Sequence, residues 1–163
     1  MAADIRSMWD RFAGRPGGRW LFSLMLGRMV PYTGSIKPRV LALSASGARI
    51  EMRDRRPIRN HLHSVHAIAL ANLAELSTGL PLAYAVQPRG RTILVSLTVE
   101  YLKKARGTLV GSSSFVAPAA DRDQDIEIPV EVRDDAGDVV ARARARWRVG
   151  PVKPRGSSAA PST

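Results

Sequence analysis

The chain has 163 residues, 45% of them hydrophobic, and no cysteine. That length holds one ordinary domain with a real core, and the missing thiols exclude disulfides, thiolate metal sites and cysteine nucleophiles. A net charge of +11 at pH 7 favours anionic partners, although arginines spread along the chain fit a solubilising bias equally well.

Residues 4 to 13 read as a short helix, broken by Gly14, Pro16, Gly17 and Gly18. Residues 19 to 30 read as a second helix that Pro31 ends. Packing on the domain is the expected role of this pair, and lying on a membrane surface is the alternative. The apolar run from Trp20 to Leu26 is much shorter than the ~20 residues a membrane span needs. No secretory leader pattern is visible, so a cytoplasmic location and no membrane span are expected.

Val40, Leu41 and Leu43 begin a strand, and Ala48 to Arg53 alternate with period two. Gly47 between them predicts a hairpin. A charged loop runs from Asp54 to Asn60. Ser64 is the predicted N-cap of a helix over Val65 to Leu76. Only His66, Asn72 and Glu75 interrupt its apolar surface, so it is expected to be buried on most sides. Gly79 and Pro81 read as its end.

Strands follow over Ile93 to Tyr101, Thr108 to Val116, Ile126 to Val132 and Val139 to Val149. Pro129 marks an edge or a bulge. On the last strand Ala141, Ala143, Ala145 and Trp147 share one face, and Arg142, Arg144, Arg146 and Arg148 the other. No aromatic residues interleave with that arginine ladder, so alternation explains it and nucleic-acid binding is not expected. Residues 151 to 163 read as a disordered tail. The order predicts an α+β domain, with an antiparallel sheet wrapped around one central helix.

Chemistry concentrates near that helix. If buried, Glu75 has a raised pKa that suits a general base; otherwise Asn72 and Glu75 are simply the helix's wet side. His66 lies in the first turn, where a free backbone N–H such as that of Ala67 can polarise a carbonyl, or it is a structural histidine. His66 and Glu75 are nine residues apart, on opposite sides of a regular helix. A partner for Glu75 must then come from another element or another subunit. Asn60 could bind a water or a carbonyl, or cap its loop.

The stretch from Arg59 to Ala67, with Ala74-Glu75, resembles the signature of hotdog-fold thioesterases of the PaaI-like type. That signature has an Asn, a His six residues later, and an acid nine residues after that, spacings that Asn60, His66 and Glu75 match. The chain is similar also to an uncharacterised hotdog branch, through Pro31-Tyr32, Asn60-His61, His66 to Leu70 and Glu100 to Ala105. The resemblance covers about residues 20 to 150. It implies an N-terminal helical extension over 1–30, a hotdog domain over 31–150, and a homodimer, possible also as a tetramer. It implies hydrolysis of an acyl-CoA or carrier-bound acyl thioester, with no cofactor beyond the coenzyme A of the substrate. Glu75 would be base or nucleophile, Asn60 its partner across the dimer, His66 the third catalytic residue of the motif, and Ala67 N–H the carbonyl donor. His61, Arg89, Arg91, Lys103, Lys104 and Arg106 are the candidate substrate contacts, the cations for the coenzyme A phosphates. Ala67-Ile68 replaces the usual Gly-Gly, His63 replaces a Gly, and Leu94 stands where some relatives carry a Ser, with Thr92 and Ser96 nearby. A non-catalytic acyl-thioester binder is one alternative. The other is a hotdog dehydratase or hydratase, for which His61 and Glu75 have one known spacing.

Overall fold

A computed structural model describes residues 4–152. Apart from Pro151 and Val152, the predicted tail lies outside the described residues. The elements are α1 (Ile5–Phe12), α2 (Gly18–Met29), α3 (Pro31–Gly34), β1 (Arg39–Ser44), β2 (Gly47–Arg53), a 3-10 turn (Arg56–Ile58), α4 (Ala67–Val86), β3 (Gly90–Tyr101), β4 (Thr108–Ser114), β5 (Gln124–Arg133) and β6 (Val139–Pro151). Six strands form one sheet in the order β1-β2-β4-β5-β6-β3, with every pairing antiparallel. The predicted class therefore holds.

The sheet presents alternate residues to α4. On β6, Ala141, Ala143, Ala145 and Trp147 are buried while the four arginines between and after them are exposed. Leu73 and Leu82 of α4 and Ile50, Met52, Leu109 and Ile128 of the sheet are fully buried, at ~1.5–3 kcal/mol of transfer free energy for each such side chain. Gly111 lets the helix approach β4, because a Cβ there would lie 2.4 Å from Ser77 Oγ.

Pro129 has a local explanation. β4 pairs with β5 only over Val130 to Arg133, so Pro129 and the residues before it have β6 alone beside them. A residue without an N–H is harmless on such an edge.

Three boundaries differ from expectation. Pro31 does not simply end α2; it opens the short turn α3, as its fixed φ allows. The central helix starts at Ala67, because Ser64 is drawn away: its N–H and hydroxyl both go to Asn60 Oδ1. His66 is the N-cap, its Nδ1 accepting Ile68 N–H at 3.1 Å. The helix also runs through Gly79 and Pro81 to Val86. Pro81 leaves the Ser77 carbonyl without its helical donor, and the Ser113 hydroxyl from β4 donates to it instead at 2.5 Å.

Helix α2 lies along β1. Ser23 Oγ accepts Val40 N–H at 2.9 Å, and Arg19 donates to the Leu41 carbonyl at 2.7 Å. The first helix is joined on by Trp9 against Phe22, edge to face with centroids 5.0 Å apart. No helix of the described residues is long and apolar enough to cross a membrane.

Candidate active site

The candidate residues occupy the loop before α4 and the first half of that helix. Asn60 Oδ1 accepts from Leu62 N–H, Ser64 N–H and the Ser64 hydroxyl, at 2.9, 3.3 and 3.2 Å. A single side-chain oxygen thus organises the turn, a use that Asn suits through its local hydrogen bonding. The Asn60 amide nitrogen has no partner among the described residues and remains available as a donor. The loop is anchored from outside too. Val65 N–H bonds to the Ala105 carbonyl, His66 N–H to that of Ile58, and Arg106 Nε to that of His63.

Tyr101, at the end of β3, donates to the Ala67 carbonyl at 3.1 Å. This tyrosine fixes the first turn of α4 against the sheet. Ile68 N–H is spent on His66 and Ala69 N–H on the His66 carbonyl. Ala67 N–H makes no hydrogen bond among the described residues, so a donor at the positive end of the helix dipole is unused.

Glu75 lies two turns further on, about 12 Å along the axis from Ala67 at ~1.5 Å per residue. It is partly buried and has neither hydrogen bond nor ion pair among the described residues. Loss of water around the carboxyl pushes its pKa above the ordinary 4.5. Its neighbours are apolar. A Cβ on Gly79 would be 2.6 Å from the Trp147 ring and 3.4 Å from Glu75 Oε1, so ring and carboxylate flank the bare glycine. Trp147 is held in place by its indole N–H, which donates to Thr78 Oγ1 at 3.1 Å. Asn72 is not part of a wet face: it is 7% exposed and donates to the Tyr32 carbonyl.

Because Ala67 meets Tyr101 at the end of β3, and Gly79 meets Trp147, the partner of Leu94 in β3, α4 runs antiparallel along β3. Glu75 falls between these two tie points. In one chain, Glu75 and the pair Asn60 and Ala67 do not converge on a common atom.

The basic candidates divide. Lys103 is held by Asp134 at 2.8 Å and Asp138 at 2.5 Å, Arg106 by the loop carbonyls of His63 and Leu62, and Arg91 by Asp123 and the Pro151 carbonyl. Arg89, Lys104 and His61 are exposed and have no side-chain partner among the described residues. Arg91 and Tyr101 are ten residues apart in an extended strand, roughly 33 Å at ~3.3 Å per residue. The Arg89–Arg91 and Lys103–Arg106 groups therefore lie at opposite ends of β3. Sequence reasoning missed the supporting residues Thr78, Gly79 and Trp147. Gly79 carried a signal, a glycine inside an apolar helical pattern, which denotes close approach as readily as termination.

A six-stranded antiparallel sheet holding one long helix, with a capped loop delivering Asn60 and His66 to its start, defines a hotdog-fold protein. The chain belongs to the family described as Domain of unknown function (DUF4442), whose model matches residues 18–149. A structural-genomics protein named APC5556 is 30% identical, with a TM-score of 0.78 over 92% of this chain and 100% of its own. A Pseudomonas aeruginosa protein of unknown function, described as a "probable thioesterase", is 19% identical, with a TM-score of 0.72 over 82% of this chain and 95% of its own. A thioesterase from Haemophilus influenzae is 10% identical, with a TM-score of 0.70 over 80% and 92%. The last two likenesses carry the fold. No curated protein matches the chain.

Proposed function

We propose that the protein hydrolyses an acyl thioester, on coenzyme A or a carrier, at a site completed by a second copy of the chain. The observation that carries this reading is Glu75, a carboxylate without a cation, raised in pKa by burial, on the same motif as two unused donors. A base poised nearer neutrality is suited to activating water, and a free N–H at a helix start is suited to holding a carbonyl oxygen. The names of the two thioesterase-like neighbours point the same way.

The dimer is inferred from β3. One edge of β3 pairs with β6 over eleven positions, and the other has no strand beside it among the described residues. Ile93, Val95 and Tyr101 on this strand, with Leu102 after it, are 40–54% exposed, the profile of a strand awaiting a partner. Antiparallel pairing of β3 with its copy would bring Arg89 and Arg91 of one protomer toward Lys104 of the other. It would also let Asn60 and Ala67 of one protomer face Glu75 of the other.

In the reaction, Glu75 takes a proton from water as the oxygen attacks the thioester carbon. The Asn60 amide orients that water or the carbonyl, and Ala67 N–H bonds the developing oxyanion. The C–S bond breaks, and the proton held by Glu75 passes to the departing thiolate, leaving a carboxylic acid and a free thiol. The test is thiol release from a panel of short, long and aromatic acyl-CoAs by the wild type, Glu75→Gln and Asn60→Ala. Hydrolysis that falls by the ~10²–10⁴-fold typical of a lost general base in Glu75→Gln is expected. Absence of turnover across the panel, or turnover indifferent to Glu75, overturns the reading.

A further inference from the structure

A cavity lies at the other edge of the sheet. It has a volume of about 680 Å³ and opens between α2, the α3–β1 connection and the first hairpin. That volume is within the ~300–1,000 Å³ of small-molecule sites. Its lining is mostly apolar, from Trp20, Leu24, Gly27, Ile36 and Pro38. Gly27 and Gly34 shape it: α2 and α3 touch there so closely that a Cβ on Gly34 would be 2.2 Å from the Gly27 carbonyl oxygen.

Five cations surround this apolar well, namely Arg28, Lys37, Arg39, Arg53 and Arg55, against one carboxylate, Glu51. Glu51 is taken by Arg53 at 3.0 Å. Arg39 stands opposite Glu51 in register, but it, Arg28 and Lys37 have no carboxylate partner among the described residues. Arg55 gives one guanidinium nitrogen to the Ser35 carbonyl. Its Nε is buried and has no hydrogen-bond partner. A buried charged donor left unpaired is costly, and an anion beside the guanidinium offsets part of that cost through its charge.

The two properties restrict the occupant. Excess positive charge disfavours a neutral lipid, and an apolar lining gives a small hydrophilic anion nothing to bury. A ligand with an apolar chain and an anionic end satisfies both. We propose that this cavity binds single-chain anionic amphiphiles as monomers. The chain lies against Leu24, Ile36 and Pro38, and a carboxylate or phosphate head lies among Lys37, Arg39 and Arg55. The inference does not depend on the reaction assigned to Glu75, because its residues lie at the β1 edge and Glu75 lies beside β3.

Trp20, 62% exposed at the mouth, provides a readout. Dodecanoate, dodecyl phosphate and the neutral 1-dodecanoylglycerol are titrated below their aggregation limits, following tryptophan emission and heat. A saturable signal at one ligand per chain is expected for at least one anion, the tighter one identifying the head. The neutral glyceride should bind at least tenfold more weakly. The emission change should vanish in Trp20→Phe, and anion affinity should fall at least tenfold in Lys37→Glu/Arg39→Glu and in Leu24→Gln, with unfolding temperatures preserved. Glu75→Gln should bind as the wild type does. An emission change that survives Trp20→Phe, or affinity insensitive to the Lys37/Arg39 pair, places the ligand elsewhere and overturns the proposal. So does binding to anionic phosphatidylserine vesicles without binding of monomers, which would make the face a membrane contact.

Discussion

Replacing Ser113 with Ala tests how α4 accommodates Pro81. The Ser77 carbonyl lacks its helical donor and accepts from the Ser113 hydroxyl, and Ser77 is fully buried. Removing the hydroxyl strands that carbonyl, and a buried unsatisfied acceptor costs about 1–3 kcal/mol. Around the middle of that range, about 2 kcal/mol, the unfolding temperature of a chain this size falls by about 4–8 °C. The weaker Ala48 N–H bond to the same hydroxyl, at 3.3 Å, adds little. Pro81→Ala restores an N–H four residues after Ser77, so in that background Ser113→Ala should cost little more than ~0.5 kcal/mol. Urea denaturation of the wild type, both single variants and the double variant gives the coupling, expected near 1.5 kcal/mol from the two values above. Equal costs of Ser113→Ala in both backgrounds, within ~0.5 kcal/mol, would refute the argument that the side chain substitutes for the missing amide.

Gly79→Ala should destabilise: overpacking against the Trp147 ring costs ~1–3 kcal/mol, more than the ~1 kcal/mol a helix gains on replacing glycine, and a rise in unfolding temperature would contradict this. Glu75 has a pKa raised in the fold, so the folded state holds its proton more tightly than the unfolded chain and ionisation disfavours folding. Glu75→Gln should therefore be more stable than the wild type at pH 8, and the gap should shrink as pH falls through the raised value toward 4.5; a gap independent of pH would show that desolvation is not the cause. By the same shift, thioester hydrolysis should rise with pH along a limb centred above 4.5, and a limb below that value would remove Glu75 as the base. Lys104→Ala should raise KM for coenzyme A thioesters more than Lys103→Ala does, since Lys103 is engaged by Asp134 and Asp138; the reverse order would show that those carboxylates release it on binding.

The sheet was legible because its strands alternate cleanly, as in the Ala-Arg repeat of β6, and because Gly47 punctuates the first hairpin. The central helix was legible in kind but not in extent. Pro81 and Gly79 are stop signals by local chemistry alone, and both are overridden from a distance, one by a hydroxyl on β4 and the other by the indole of β6. Likewise, Ser64 has the side chain of an N-cap, but Asn60 competes for it. Of the candidate site, the sequence offered the spacing of Asn60, His66 and Glu75, which the fold distributes between the loop before α4 and the helix itself. Which cations are free was not legible, because Lys103, Arg91 and Arg106 are occupied by groups 31 to 60 residues away in sequence. No local pattern records such pairings.

The two borders of the sheet are finished differently. On β1, Arg19 and Ser23 of α2 occupy backbone groups that another strand would need, while β3 leaves its outer groups open. A sheet with two open borders can add copies without end, as fibres do. With β1 covered, the proposed pairing of β3 with its copy would leave no open outer strand, so growth by addition at the outer strands would stop at a pair. Loss of the Arg19 and Ser23 contacts would open β1 as a second border, and in a double Arg19→Ala/Ser23→Ala variant the proposed pairing would then continue past two copies, seen as light scattering that increases with time and concentration.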